Sequence, residues 1–128
     1  MDHKTNSNAI KKYGRFLSEP EEHSCWIFQG NPKYYDVVGV VESLDVLTWR
    51  VNQYPKQIKA GDRAYIWLSG PDGGIIGSGV ILRDPEMREP LAEDPYRRGE
   101  IFNNRPYLAV DIRIDRKLTK AIVPRNIL

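Results

Sequence analysis

The run Ser69-Gly70-Pro71-Asp72-Gly73-Gly74 constrains this chain more than any other stretch. Turn-forming residues stand there between two short apolar segments, Arg63 to Leu68 and Ile75 to Leu82. Glycine reaches backbone angles closed to other residues and proline fixes its own, so such a cluster reverses the chain. Apolar runs of strand length on both sides predict a β-hairpin. In the first run Ala64, Ile66 and Leu68 share one face, and Tyr65 and Trp67 point away from it. In the second, Gly77 and Gly79 alternate, which signals close approach of backbone or ligand, or a sharp barrel bend.

Other segments extend the pattern. Pro106 to Arg116 alternates, with Leu108, Val110, Ile112 and Ile114 inward and Ala109, Asp111, Arg113 and Asp115 outward. Ser24 to Gln29 and Trp49 to Val51 read as further strands, Trp26 and Phe28 sharing a face. Val37, Val40, Val41 and Leu44 fall at helical spacing inside Lys33 to Leu47; valines are poor helix formers, so packing must support that helix. Ile10, Tyr13 and Leu17, with Ser7 as N-cap, predict an N-terminal helix ended by Ser18 to Glu22. Arg83 to Arg105, with Pro85, Pro90 and Pro95, reads as one long loop, and Leu118 to Leu128 as irregular. The expected class is α+β, a small bent β-barrel or curled sheet with flanking helices. Residues 1–23 form an N-terminal extension and 24–128 the domain. The apolar ending Ile122 to Leu128 suggests a longer parent protein.

Composition narrows function. A chain of 128 residues is one domain by size, and a formal charge of +2 excludes a nonspecific polycation while allowing one basic face. Cys25 is the single cysteine, which excludes an internal disulfide and any multi-cysteine zinc site. No apolar run approaches the ~20 residues of a membrane helix, and Met1 to Asn6 lacks a signal-peptide core. A reducing, cytoplasmic setting is the expectation. His3 and His23 have no partnered serine or cysteine in a recognisable setting. The pairs Glu42/Asp45 and Asp111/Asp115 read as solvated charge, and Gly70 to Gly74 lacks the lysine and helix of a phosphate loop. The expectation is therefore a binding module without catalytic residues, metal or cofactor.

Two readings of the aromatic residues stay open at this level: Trp26, Trp49 and Trp67 fill the core, or some of them line a slot for a flat ligand. The arginines Arg83, Arg88, Arg97, Arg98 and Arg105 are mixed with acids, so a solvated loop and a phosphate contact are both open. The absence of lysine among them tilts the balance toward phosphate.

The segment Trp26 to Asp36 (Trp-Ile-Phe-Gln-Gly-Asn-Pro-Lys-Tyr-Tyr-Asp) resembles the opening of EVE domains. The likeness continues through Trp49-Arg50-Val51, Ile58 to Gly70, Gly73 to Gly79 and Val110 to Arg113. EVE domains belong to the PUA-like superfamily, are related to the YTH readers of methylated adenine, and resemble the specificity modules of McrB-like, modification-dependent restriction enzymes. The resemblance implies a reader of a modified base such as 5-methylcytosine, flipped from duplex DNA into an aromatic cage. It also implies a nuclease or NTPase partner in the parent chain. The base-binding pocket it implies comprises Trp26, Asn31, Trp49, Arg50 through its carbonyl, Trp67, Ser69 and Asp111. Lys33, Arg83, Arg97, Arg98 and Arg105 are the candidate backbone contacts. The alternatives are a modified-RNA or tRNA module and a small nucleoside-acting hydrolase.

Overall fold

The computed structural model describes residues 10–18, 21–98 and 104–124, with side chains for 10–12, 23–98 and 104–124. Its elements run β1 (Ile10–Ser18), β2 (Glu21–Gly30), α1 (Val37–Ser43), β3 (Val46–Arg50), β4 (Arg63–Leu68), β5 (Gly74–Ile81), β6 (Glu86–Arg88), β7 (Tyr107–Lys117) and β8 (Val123–Pro124). They form one curled sheet in the order β1-β2-β4-β5-β7-β3, with β6 on β7 and β8 on β5. Among the described strands, only β2 and β4 run parallel; α1 and β3 lie between them in sequence.

The hairpin at residues 69–74 forms as expected, joining β4 to β5, with Gly70 and Gly74 at positive φ. The inward residues of the strands make the core: Trp26, Phe28, Leu47, Ala64, Ile66, Ile76, Ile81, Val110 and Ile112 are buried. Helix α1 seals it with Val37, Val40 and Val41. An isolated helix of seven residues is marginal, so burial rather than propensity holds this one. Asp36 caps it by accepting from the Gly39 amide at 3.0 Å, and Leu44 turns extended. Gly77 is where the helix meets the sheet: a Cβ there would stand 3.1 Å from Val41 Cγ1, and one at Gly79 would overlap the Arg113 carbonyl. Close approach, one of the two meanings of those glycines, is the one realised.

Several expectations are corrected. The N-terminal helix is instead strand β1, antiparallel to β2, with Ile10 opposite Phe28 and a bulge between Lys12 and Gly14. Three apolar residues at helical spacing were outweighed by the open edge of β2, whose backbone groups need partners, and by Gly14, costly inside a helix. Ser7, the expected N-cap, lies outside the described residues. The helix expected inside Lys33 to Leu47 forms at Val37–Ser43, but Leu44, expected on its face, is the extended residue that ends it. The 83–105 loop contains β6, paired with β7, and the irregular C-terminal stretch contains β8. Ala109, expected outward, is fully buried between β6 and β3, with both of which it pairs. Among the described residues there is one helix rather than several, and it is too short to cross a membrane.

Candidate functional site

Strand β2 ends at Gly30, and the chain then folds over itself. The Asn31 carbonyl accepts from the Tyr34 and Tyr35 amides at 3.0 and 3.2 Å, while Asn31 Oδ1 accepts from the Lys33 amide at 2.9 Å. This asparagine turn uses the side-chain oxygen locally and leaves the amide nitrogen without a partner among the described residues. Ser69 docks on the same strand end: its amide donates to the Gly30 carbonyl at 2.9 Å, and its hydroxyl accepts from Gln29 Nε2 at 3.0 Å.

Trp49 meets this turn from β3. A Cβ on Gly30 would lie 3.1 Å from Trp49 Cη2 and 2.7 Å from Val37 Cγ2, so only glycine lets the indole approach. The ring is 6% exposed and stands edge-on to Phe28 at 5.9 Å. Its Nε1 is buried with no hydrogen-bond partner, the one such side-chain atom among the described residues. A buried unpaired donor costs about 1–3 kcal/mol, so it is retained where something else compensates. The neighbouring Arg50 lays its guanidinium 4.2 Å from the Tyr107 ring centre.

A second layer comes from residues 94–98. The Tyr35 hydroxyl donates to Asp94 Oδ2 at 3.0 Å, and the Tyr35 and Tyr96 rings lie 6.4 Å apart. Burial, then the Asp94 carboxylate, pushes the Tyr35 phenol well above its ordinary range, so it remains a donor. The Asp36 amide donates to the Tyr96 carbonyl at 2.6 Å, and Tyr35 and Arg97 form a backbone bridge. Arg98 donates to the Pro32 carbonyl at 2.8 Å and pairs with Asp36 at 3.2 Å; Arg97 donates to the carbonyls of Ala92 and Leu91. These two arginines staple the loop to the turn. Arg83, Arg105 and Lys33 are exposed, Lys33 lying 5.6 Å from the Tyr34 ring centre.

The structure thus brings Asn31, Trp49, Arg50 and Ser69 to one end of the sheet. Trp67 is half-buried beside Gln29 on the neighbouring strand, just past a bulge. Two other expected pocket residues stand elsewhere. Trp26 is fully buried in the core, its indole N–H donating to Asp62 Oδ2 at 2.8 Å. Asp111 pairs with Thr48, which alternates with Trp49, so it faces the opposite side of the sheet. There Arg88 clamps it through two bonds of 2.9–3.0 Å and Thr48 donates a third. The Arg88 hydrogen bonds hold the Asp111 carboxyl below its usual range despite partial burial. Tyr35, Tyr96 and Tyr107 received no role from the sequence. The one signal was that Tyr34-Tyr35 lay within the family-like opening, with Tyr96 inside the arginine-rich segment and Tyr107 just after it.

A single curled sheet wrapped on one short helix, with an aromatic and amide-lined end, defines a small bent barrel of the PUA-like class. Such folds serve as modules that bind nucleic acid or modified bases. The chain belongs to the EVE domain family, whose model matches residues 24–127. Strand β1 precedes the matched region yet extends the same sheet. No curated protein and no solved structure matches the chain. EVE domains are binding domains, generally non-catalytic, and membership implies a nucleic-acid- or modified-base-binding role.

Proposed function

We propose that this module reads a modified base in DNA, flipped out of the duplex, and serves as the targeting part of a modification-dependent restriction system. The observation that carries the reading is the buried, unpaired N–H of Trp49 beside Gly30 and the Asn31 turn. A base edge offers the carbonyl or ring-nitrogen acceptor that this donor lacks. In this reading the Trp49 indole is one wall. The Asn31 amide nitrogen donates to the base edge, the Arg50 carbonyl accepts from an exocyclic amine, and Ser69 borders the entrance. Lys33, Arg83 and Arg105 supply exposed positive charge toward phosphates, while Arg97 and Arg98 hold the loop in place.

Flipping costs a few kcal/mol, and stacking returns about 1–3 kcal/mol per base. One buried methyl adds about 0.8 kcal/mol, so the hydrogen bonds must supply most of the selectivity. Fluorescence anisotropy at fixed salt, on matched duplexes carrying no modification, 5-methylcytosine, 5-hydroxymethylcytosine or N6-methyladenine, tests this. One modified duplex is expected to bind preferentially, and Trp49→Phe, which keeps a ring but removes the N–H, is expected to erase the preference. Equal weak binding to all duplexes, lost as salt rises, would overturn the reading, because only phosphate contact behaves that way. A modified single-stranded RNA that outcompetes every duplex would overturn the choice of DNA.

A further inference from the structure

The outward face of β4, β5 and β7 carries a groove of about 420 Å³ that the Trp49 site does not use. Its origin is a register fault. Arg116 pairs with Ser78 and Ile114 with Gly79, leaving Asp115 as an extra residue in β7. A bulge of this kind sends neighbouring side chains to one side, and Asp115 and Arg116 both line the groove. Short strand β8, paired with the start of β5, brings Val123 up as another wall.

The charges there are unevenly matched. Arg63 donates to both Asp115 oxygens at 2.7 and 3.2 Å, and the Ser78 hydroxyl donates at 2.9 Å, so that carboxylate is neutralised and its acceptors are used. Arg116 is exposed and has no acceptor among the described residues. One net positive charge therefore faces the groove. Beside it stand the half-buried Tyr65 and the apolar Ile75 and Leu118. The volume lies within the range of small-molecule sites and exceeds what a lone phosphate needs. An anion joined to a flat, largely apolar body matches these features, as guanidinium suits phosphate and an aromatic face suits a base.

We propose that this groove is a second binding site that holds one nucleotide, its phosphate on Arg116 and its base against Tyr65 and the apolar wall. It faces outward while Trp49 faces the core, and it does not rest on the reading of the Trp49 site. The nucleotide is either free or one unit of a strand crossing this face.

The test uses the whole chain with cytidine monophosphate by calorimetry and an unmodified single-stranded oligonucleotide by anisotropy. Arg116→Gln, Tyr65→Ala and Trp49→Phe are compared, with circular dichroism confirming each fold. Saturable binding of the mononucleotide supports a free nucleotide; binding of the oligonucleotide alone supports a strand. In either case Arg116→Gln weakens binding, and for the strand it lowers the slope of log affinity against log salt by about 0.7, one single-strand phosphate contact. Tyr65→Ala weakens binding with little change in that slope. Trp49→Phe removes any modified-base preference at the other site, whereas Arg116→Gln leaves that preference in place, so the two readings fail separately. No saturable binding of either probe, or an Arg116→Gln variant that binds as tightly as the parent, overturns the proposal.

Discussion

Two buried tryptophans, Trp26 and Trp49, occupy the same core and differ in one atom's circumstances. The Trp26 N–H meets Asp62, a nearly fully buried carboxylate that also accepts from the Ser24 and Lys59 amides at 3.0 Å. Tyr54 covers the Trp26 ring at 5.4 Å. Every donor in that knot is answered. At Trp49 the ring is packed equally well, but the N–H is left unanswered beside a turn whose asparagine also has a spare donor. A fold that satisfies one indole so fully has the means to satisfy the other. Under the proposed function, this difference separates a tryptophan kept for stability from one that donates to a bound base.

The comparison breaks most severely at Asp62. Asp62→Ala strands three donors, and we expect a loss of about 3 kcal/mol or more in urea unfolding. A loss below about 1 kcal/mol would mean that the knot is not what stabilises Trp26. Next comes the matched pair of substitutions. Trp26→Phe leaves Asp62 short of a partner and is expected to cost about 1–3 kcal/mol. Trp49→Phe removes a donor that had no partner, so its loss should be smaller by about 1 kcal/mol in the same assay. Equal losses would show that the Trp49 N–H is answered in solution.

The smallest effect sharpens the contrast between the core and the outward face, where carboxylates are paired but partly solvated. Hydrogen bonds from Arg88 lower the Asp111 pKa and those from Arg63 lower that of Asp115. A carboxylate whose folded pKa is depressed stabilises the fold above its unfolded value, near 3.9. That contribution is lost as pH falls through the lower folded value. Stability should therefore decline below about pH 4, and Asp115→Asn should flatten part of the decline. Because both groups are partly exposed, the change is modest. A pH profile unchanged by Asp115→Asn would remove that pair from the account.

The parts of this fold legible in the sequence are those whose cause is local. Glycine and proline between residues 69 and 74 announced the hairpin, and alternation from Leu108 to Ile114 announced β7. Val37, Val40 and Val41 marked the buried face of α1. The illegible parts depend on partners distant in the chain. Ile10, Tyr13 and Leu17 carried a helical rhythm, yet the free edge of β2 made their segment a strand. Asp111 was readable as outward-facing, but its clamping by Arg88 depends on β6, a three-residue strand hidden in a proline-rich stretch. Trp26 could not be told from Trp49, because the partner of its N–H lies 36 residues away.

By itself, then, the sequence determined the kind of protein: an α+β barrel of the EVE family, with tryptophans on three strands and glycines where chains must touch. Those features follow from backbone freedom and from the alternation of side chains along a strand, which each segment carries within it. Only the tertiary structure decided which indole is saturated, which arginines staple a loop and which is left facing a groove. Hydrogen bonding and charge pairing are settled between residues brought together by folding, and the identity of the partner is not written in either residue alone.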